Sequence, residues 1–423
     1  MFEFVEKGEN MIIARQNGRT TIGAPDKLFG VSSKAKARIA EIGKENVIDS
    51  TIGVLLNDDG KLVVLESVME AIGQLSPEDY AAYAPITGTP AYQEAVKKAV
   101  FLDEMPEKSY VEACYTPGGT GAIRNAISGY TSPGEKILTS DWHWNPYKVV
   151  AAEIGRSVDT YTLFDEKNKF NGADFEKKVE ELLAVQDQLL IIINTPAHNP
   201  TGYTFTEEDW DCVLEVLQKQ PANKNIVMVV DIAYLDFSGD AKEYRFFLKK
   251  IDGLPQNILP LIAFSASKGY TMYGMRCGAL LCMAPTQEIA KEFKDVMSVE
   301  CRASWSNGNR AAMTALANIW ASPQLRAKVE EERAVYLKSL RARGDAFMEE
   351  AAKAGLSTCP YDSGFFVTIP CAAPEKVGEI LQTMNIFTIP LGPGVRVSVA
   401  SNTVEECRRM PAKIKEAITL SQE

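Results

Sequence analysis

The sequence predicts an α/β protein: a three-layer arrangement of a mostly parallel sheet covered by helices on both faces, with a smaller α+β domain beside it. Three observations carry this. Residues 189–193 and 226–230 are unbroken apolar runs, the pattern of strands buried on both faces. Between them Trp210, Val213, Leu214 and Leu217 form a helical stripe after Thr206, and strand, helix, strand in this order implies parallel strands joined by right-handed crossovers. From about Pro323 the character changes. Residues 325–353 read as a long charged helix with an apolar stripe, and residues 364–369 and 395–399 alternate like strands with one open face. A chain of 423 residues also exceeds what one compact core usually holds.

In chain order, residues 33–43 have helical composition and end on Gly43, after an N-terminal arm. The segment 48–60 carries two apolar patches and the turn-forming Asp58-Asp59-Gly60; Gly53 inside it is either a turn glycine or a place where backbone approaches a ligand. Helices are expected at 65–75 and 91–101, separated by a proline- and glycine-punctuated loop that holds Tyr83. Pro117-Gly118-Gly119-Thr120-Gly121 then leads straight into a helix whose Ile123, Ala126 and Ile127 share a face. Unpaired N–H groups at a helix start, approached through glycines, make a phosphate cradle. It is neither a Walker loop nor a GxGxxG dinucleotide site. A short strand at 136–138 runs to Asp141-Trp142-His143-Trp144, where an aromatic ring either stacks on a planar ligand or caps the core.

Three apolar runs end in polar residues. The first opens into Asn194 and on to His198-Asn199-Pro200-Thr201-Gly202, the second into Asp231-Ile232-Ala233-Tyr234, and the third, 261–264, into Ser265-Ala266-Ser267-Lys268 with Arg276 eight positions on. Ligands bind at the carboxyl ends of parallel strands, so Asn199, Asp231, Tyr234 and Lys268 are expected to converge with Gly119 and Thr120. Lys268 is read as lying on a loop where a buried strand emerges. A lysine there can hold a phosphate, form an imine with an aldehyde cofactor whose phosphate Arg276 takes, or simply face solvent. Arg396 points away from the valines around it, and spacing alone favours a solvated edge-strand charge.

A net charge of −11 disfavours a nucleic-acid partner. No apolar stretch reaches transmembrane length, and the acidic start does not look like a signal peptide, so the chain reads as cytoplasmic. Eight scattered cysteines without a CxxC pair suggest reduced, mostly buried thiols; with only His143 and His198 present, neither a metal site nor a histidine triad is expected.

Taken together, Pro117 to Gly121, His198 to Gly202, Asp231 to Tyr234, Ser265 to Lys268 with Arg276, Arg302-Ala303-Ser304-Trp305-Ser306-Asn307, and Arg396-Val397-Ser398-Val399 resemble the class I aminotransferases of fold type I, most closely the aspartate and aromatic amino acid aminotransferases. The motifs follow the family's order from about Ile52 to the C-terminus. The resemblance implies an arm at 1–20, a large pyridoxal-phosphate-binding domain at 64–330 and a small domain from 21–63 plus 331–423. It implies that Lys268 holds pyridoxal 5'-phosphate and that Asp231 pairs with its ring nitrogen. Asn199 and Tyr234 would donate to the phenolic oxygen, Trp144 would stack on the ring, and Gly119, Thr120, Ser265 and Arg276 would hold the phosphate. Tyr83 is similar to a tyrosine supplied by the neighbouring subunit, which implies a homodimer. Arg396 resembles the clamp on the substrate α-carboxylate, Arg302 the second-subunit arginine for a distal carboxylate, and Gly53 and Asn199 would border the substrate. Two positions depart from the family: Asn194 and Tyr147 stand where histidines are often found. The implied activity is transamination between an L-amino acid and a 2-oxo acid such as 2-oxoglutarate, in two halves. A β-lyase or decarboxylase of the same fold is the alternative; a ligand-sensing regulator would need a basic DNA-binding domain, for which the N-terminus is too short.

Overall fold

A computed structural model of the protein describes residues 27–422, so the arm expected at 1–20 and the first residues of the segment expected at 21–63 lie outside the described residues. In chain order the strands are β1 (Ile48–Asp49), β2 (Tyr110–Pro117), β3 (Lys136–Ser140), β4 (Ser157–Tyr161), β5 (Gln188–Asn194), β6 (Asn225–Asp231), β7 (Ile258–Ser265), β8 (Cys277–Ala284), β9 (Phe366–Pro370), β10 (Ile386–Phe387), β11 (Ile389–Leu391) and β12 (Gly394–Ser398). Seven of them form one sheet in the order β2-β8-β7-β6-β5-β3-β4. All neighbours are parallel except β8, which runs against both β7 and β2. The fold is α/β with a mostly parallel central sheet.

The unbroken apolar runs have a simple cause: each strand feeds two cores. Leu189, Ile191 and Ile193 of β5 and Met228 and Val230 of β6 join Trp210, Val213 and Leu214 on one face. Leu190, Ile192, Val227 and Val229 join Ile123, Ala126 and Ile127 on the other. Since side chains alternate along a strand, covering both faces demands apolar residues at every position. Each large apolar side chain so buried contributes about 1.5–3 kcal/mol. The helix Glu207–Gln218 starts where Thr206 and Asp209 form a reciprocal capping box. The helices expected at 33–43, 65–75 and 91–101 occur as Lys27–Ile42, Glu66–Gly73 and Pro90–Phe101.

Register places the strand ends side by side. Asn194 of β5 pairs with Asp231 of β6, and Asp231 with Ala263 of β7, two residues before that strand ends at Ser265.

Two smaller sheets lie beside this one: β11-β12-β9, antiparallel, and the parallel pair β1-β10. The expectation of one open face for the strands at 364–369 and 395–399 is wrong. β12 is central and buried along its whole length, and β9 along all but Pro370. One side packs on the helix Pro374–Thr383; on the other, Thr368 Oγ1 donates to the Pro200 carbonyl at 2.5 Å and Arg396 reaches Asn199. Polar residues there face the carboxyl ends of the large sheet rather than water. The boundary expected at 330–331 falls inside an unbroken helix, Pro323–Lys353. From that helix the buried Arg343 donates to the carbonyls of Leu56 and Ala400, each at 2.9 Å, and so ties three distant segments together. The eight cysteines are free. Among the described residues no helix is long and apolar enough to cross a membrane.

Candidate active site

Five chain segments meet at one cavity of about 160 Å³ at the carboxyl edge of the large sheet. Its lining includes Gly119, Thr120, Trp144, Asn199, Asp231, Tyr234, Ser265, Lys268 and Arg276, together with Asn194, Ala233 and Ser267. Asp231 is the last residue of β6, and Ser265 the last of β7. Lys268 does not sit on a loop, as expected, but on the four-residue helix Ala266–Gly269, which starts where Ser265 Oγ accepts the N–H of Ser267. That single turn aims the lysine back over the strand ends.

The cradle forms at the start of the helix Gly118–Tyr130, whose first turn has no side-chain cap, so its N–H groups are free to meet an anion. Glycine is favoured at 118. Its φ is +72°, and a Cβ there would come within 2.6 Å of Arg276 Nη2. Arg276 itself has a φ of 53°, a conformation that costs energy in a non-glycine residue and that recurs at functional sites.

Two expected residues join through contacts. Arg396 Nη1 donates to Asn199 Oδ1 at 3.2 Å, and Lys268 Nζ donates to the Gly53 carbonyl at 3.2 Å. The reading of Arg396 as a solvated edge charge is therefore wrong: it is 5% exposed, its guanidinium lies 4.2 Å from the centroid of the Phe366 ring, and its Nε is buried without a partner. Tyr83 and Arg302 do not line the cavity of their own chain. Tyr83 is 87% exposed, and Arg302 is exposed at the end of the helix Gln287–Ser304, bonded to Ser306 Oγ at 2.7 Å. The two segments are surface neighbours, because Asn307 Nδ2 donates to the Ala84 carbonyl at 2.8 Å.

Asp231 is held from behind. Its Oδ2 accepts the Tyr147 hydroxyl at 2.6 Å, its Oδ1 accepts the N–H of Ala233 at 3.1 Å, and its backbone carbonyl accepts Asn194 Nδ2 at 2.8 Å. Asn194 Oδ1 in turn accepts the N–H of Asn199, which couples the two strand ends. Burial pushes the Asp231 carboxyl above the usual range, while Tyr147, Ala233 and Lys268 pull it back. Tyr147 is wholly buried, and burial with the nearby carboxylate raises its phenol well above the ordinary value, so it stays a neutral donor. Burial, then Arg276 and Arg396, bring the Lys268 amine down to about 8. His143 and His198, lowered to about 4 and about 3 chiefly by burial, lie outside the cavity lining.

Around the cavity stand three cations, Lys268, Arg276 and Arg396, against one carboxylate, Asp231. The arginines meet only carbonyl and side-chain amide or hydroxyl oxygens among the described residues. Arg276 is exposed beside the cradle, whereas Arg396 is buried, and a buried guanidinium without an anion is costly. The site is therefore built for an anionic ligand: one charge cluster at the cradle beside Arg276, and a second at Arg396. The chemistry of the donor set fits a phosphorylated aldehyde held at Lys268 and a carboxylate held at Arg396. Tyr273, Phe366 and Thr51, which complete this arrangement, escaped the sequence reading; for Tyr273 the available signal was its place between Lys268 and Arg276.

The family model described as aminotransferase class I and II matches residues 45–414. An aminotransferase from Anaerococcus prevotii DSM 20548, known from a crystal structure, is 34% identical, with a TM-score of 0.93 over 96% of this chain and 100% of that one. The mitochondrial aspartate aminotransferase of Schizosaccharomyces pombe is 30% identical over 310 residues, 70% of this chain and 67% of that protein. The aromatic-amino-acid aminotransferase of Burkholderia pseudomallei, crystallised covalently bound to pyridoxal phosphate, has the same fold at 22% identity, with a TM-score of 0.78 over 93% of this chain and 97% of that one.

Proposed function

The chain belongs to the class I and II aminotransferases, and from that premise we propose that it exchanges the amino group of an L-amino acid, of aspartate or aromatic type, with a 2-oxo acid such as 2-oxoglutarate. The cofactor is pyridoxal 5'-phosphate, and the two acids react in successive halves, the first leaving before the second enters. The observation that carries this reading is the pairing of the lowered Lys268 amine with the buried Asp231 carboxylate on one cavity, flanked by two arginines that lack anionic partners.

The roles follow from position. N–H groups of Gly119 and Thr120, the Ser265 hydroxyl and Arg276 take the phosphate. With the cofactor bound, Asp231 would pair with the ring nitrogen and keep it protonated, Asn199 and Tyr234 would donate to the phenolic oxygen, and Trp144 would cover the ring. Pyridoxal phosphate, held at Lys268, supplies an electron sink for the bonds at the substrate's Cα. Arg396 clamps the α-carboxylate with Asn199 beside it, and Gly53 borders the same space. When free of the cofactor, Lys268 Nζ would be the base that takes the substrate's Cα proton and the acid that returns it. Tyr83 and Arg302, exposed on their own chain, serve the neighbouring subunit's site in a homodimer, Arg302 meeting a distal carboxylate.

Reconstituted protein is expected to absorb visible light, and an amino acid alone, with no 2-oxo acid, to bleach it. Release of ammonia or carbon dioxide from that amino acid would instead indicate a lyase or decarboxylase. Protein that stays colourless with pyridoxal phosphate overturns the reading.

Two variants sharpen it. Tyr147→Phe leaves the buried Asp231 carboxylate one donor short, a loss of about 1.5–3 kcal/mol for a bond to a charged group. Cofactor-free Tyr147→Phe protein is expected to bind pyridoxal phosphate about 10- to 100-fold more weakly in equilibrium dialysis. For Arg302→Ala, a donor panel is expected to show kcat/KM for aspartate and glutamate falling about 10- to 100-fold, with phenylalanine and tyrosine nearly unchanged. A uniform fall across all four donors would remove Arg302 from the substrate's side chain.

A further inference from the structure

Tyr273 stands five residues after Lys268 and three before Arg276. The Lys268 Nζ lies 4.7 Å from the centroid of its ring. Its hydroxyl accepts the backbone N–H of Leu55 at 3.1 Å, and its carbonyl accepts Arg276 Nη1 at 2.8 Å. Leu55 closes the segment 51–55, which passes over the same site. There the Gly53 carbonyl accepts Lys268 Nζ, and the Thr51 carbonyl accepts Arg396 Nη2 at 2.9 Å. Gly53 is pressed against Phe366, since a Cβ on it would fall 2.5 Å from that ring's Cζ.

Two of the three site cations, Lys268 and Arg396, are thus held by carbonyls of one segment. A carboxylate at Arg396 is a stronger partner than a carbonyl, and an amine engaged in a covalent bond no longer donates as an ammonium. Ligands at Lys268 and Arg396 would compete with those two contacts. The bond from Leu55 to the Tyr273 hydroxyl involves neither cation and is free to persist throughout.

We propose that Tyr273 is a positioning residue for transamination: its hydroxyl pins the segment 51–55 over the site, and its ring face holds the free Lys268 amine between its turns as cofactor anchor and proton carrier. This rests on the reading of Lys268 as the cofactor lysine. A cation over an aromatic face is favoured in its charged form. The other charged and titratable groups facing the amine are Asp231 and Tyr234 from the end of β6, Arg276 after the short helix, and Arg396 from β12.

The test uses full-length, cofactor-free protein. Hydrogen exchange at the Leu55 amide is expected to quicken about 10-fold or more in Tyr273→Phe, which loses only the hydroxyl. The pH midpoint for carbamylation of Lys268 by cyanate, followed by mass spectrometry, is expected to move down by about 0.5–1 unit in Tyr273→Leu. It should stay in place in Tyr273→Phe, which keeps the ring. Unchanged exchange in the phenylalanine variant, or an unmoved midpoint in a folded leucine variant, overturns the proposal; if the leucine variant does not fold, the exchange measurement decides. Borohydride reduction of wild-type protein loaded with pyridoxal phosphate separates the two levels. Fixation at another lysine overturns the reading of the site, whereas fixation at Lys268 with unchanged exchange and midpoint overturns only the role of Tyr273.

Discussion

Replacing Lys268 by alanine is expected to lower kcat/KM by at least about 10⁴-fold, measured with any amino acid that wild-type protein accepts, because it removes both the anchor and the general base. Among the described residues Lys268 is the one lysine lining the cavity. The lowered value of about 8 adds a pH signature. Only the neutral amine attacks an aldehyde, and its fraction grows as pH rises through that value. The rate at which cofactor-free protein captures pyridoxal phosphate should therefore climb between about pH 7 and 9, half-maximal near 8, and level off above, with the sign set by deprotonation. A flat profile, or an alanine variant that keeps more than about one part in a hundred of wild-type turnover, would contradict the assignment, since base catalysis alone accounts for about 10²- to 10⁴-fold.

Arg396→Lys is the second large effect. The substitution keeps a positive charge but loses the planar fork that grips a carboxylate through two parallel bonds. Truncating one member of a buried charged pair costs about 2–5 kcal/mol, so kcat/KM should fall about 10²- to 10³-fold. Every amino acid carries the α-carboxylate, so the loss should be equal for aspartate, glutamate, phenylalanine and tyrosine. That uniformity distinguishes it from Arg302→Ala. Loss confined to the dicarboxylates would assign Arg396 to the side chain instead. Without ligand, the same arginine is a buried charge with an unsatisfied Nε. Arg396→Met should accordingly melt at a higher temperature than cofactor-free wild-type protein while losing activity, the signature of a residue kept for binding at the expense of stability.

Lys268, Asp231, Asn199 and Tyr234 could be assembled before any coordinates because each follows an apolar run by a few residues, and parallel strands bring their carboxyl ends together. The helical stripe after Thr206 and the long helix beyond about Pro323 were equally local signals. β8 was not. Its sequence, Cys-Gly-Ala-Leu-Leu-Cys-Met-Ala, has no β-branched residue. It becomes a strand because β2 and β7 offer it two edges to pair with. The helical turn that carries Lys268 was likewise hidden: four residues are too few to show a period.

What the chain order of residues determined by itself was the layered sheet and the set of polar side chains at its edge, because apolar alternation and strand ends are properties of neighbours in sequence. Tertiary structure alone decided that Arg396 is buried without an anion, that Tyr147 backs Asp231, and that the segment 51–55 reaches both Lys268 and Arg396. Those contacts join residues 84 to 345 positions apart. Desolvation and long-range hydrogen bonds depend on which surfaces meet, and no local pattern of residue types encodes that meeting.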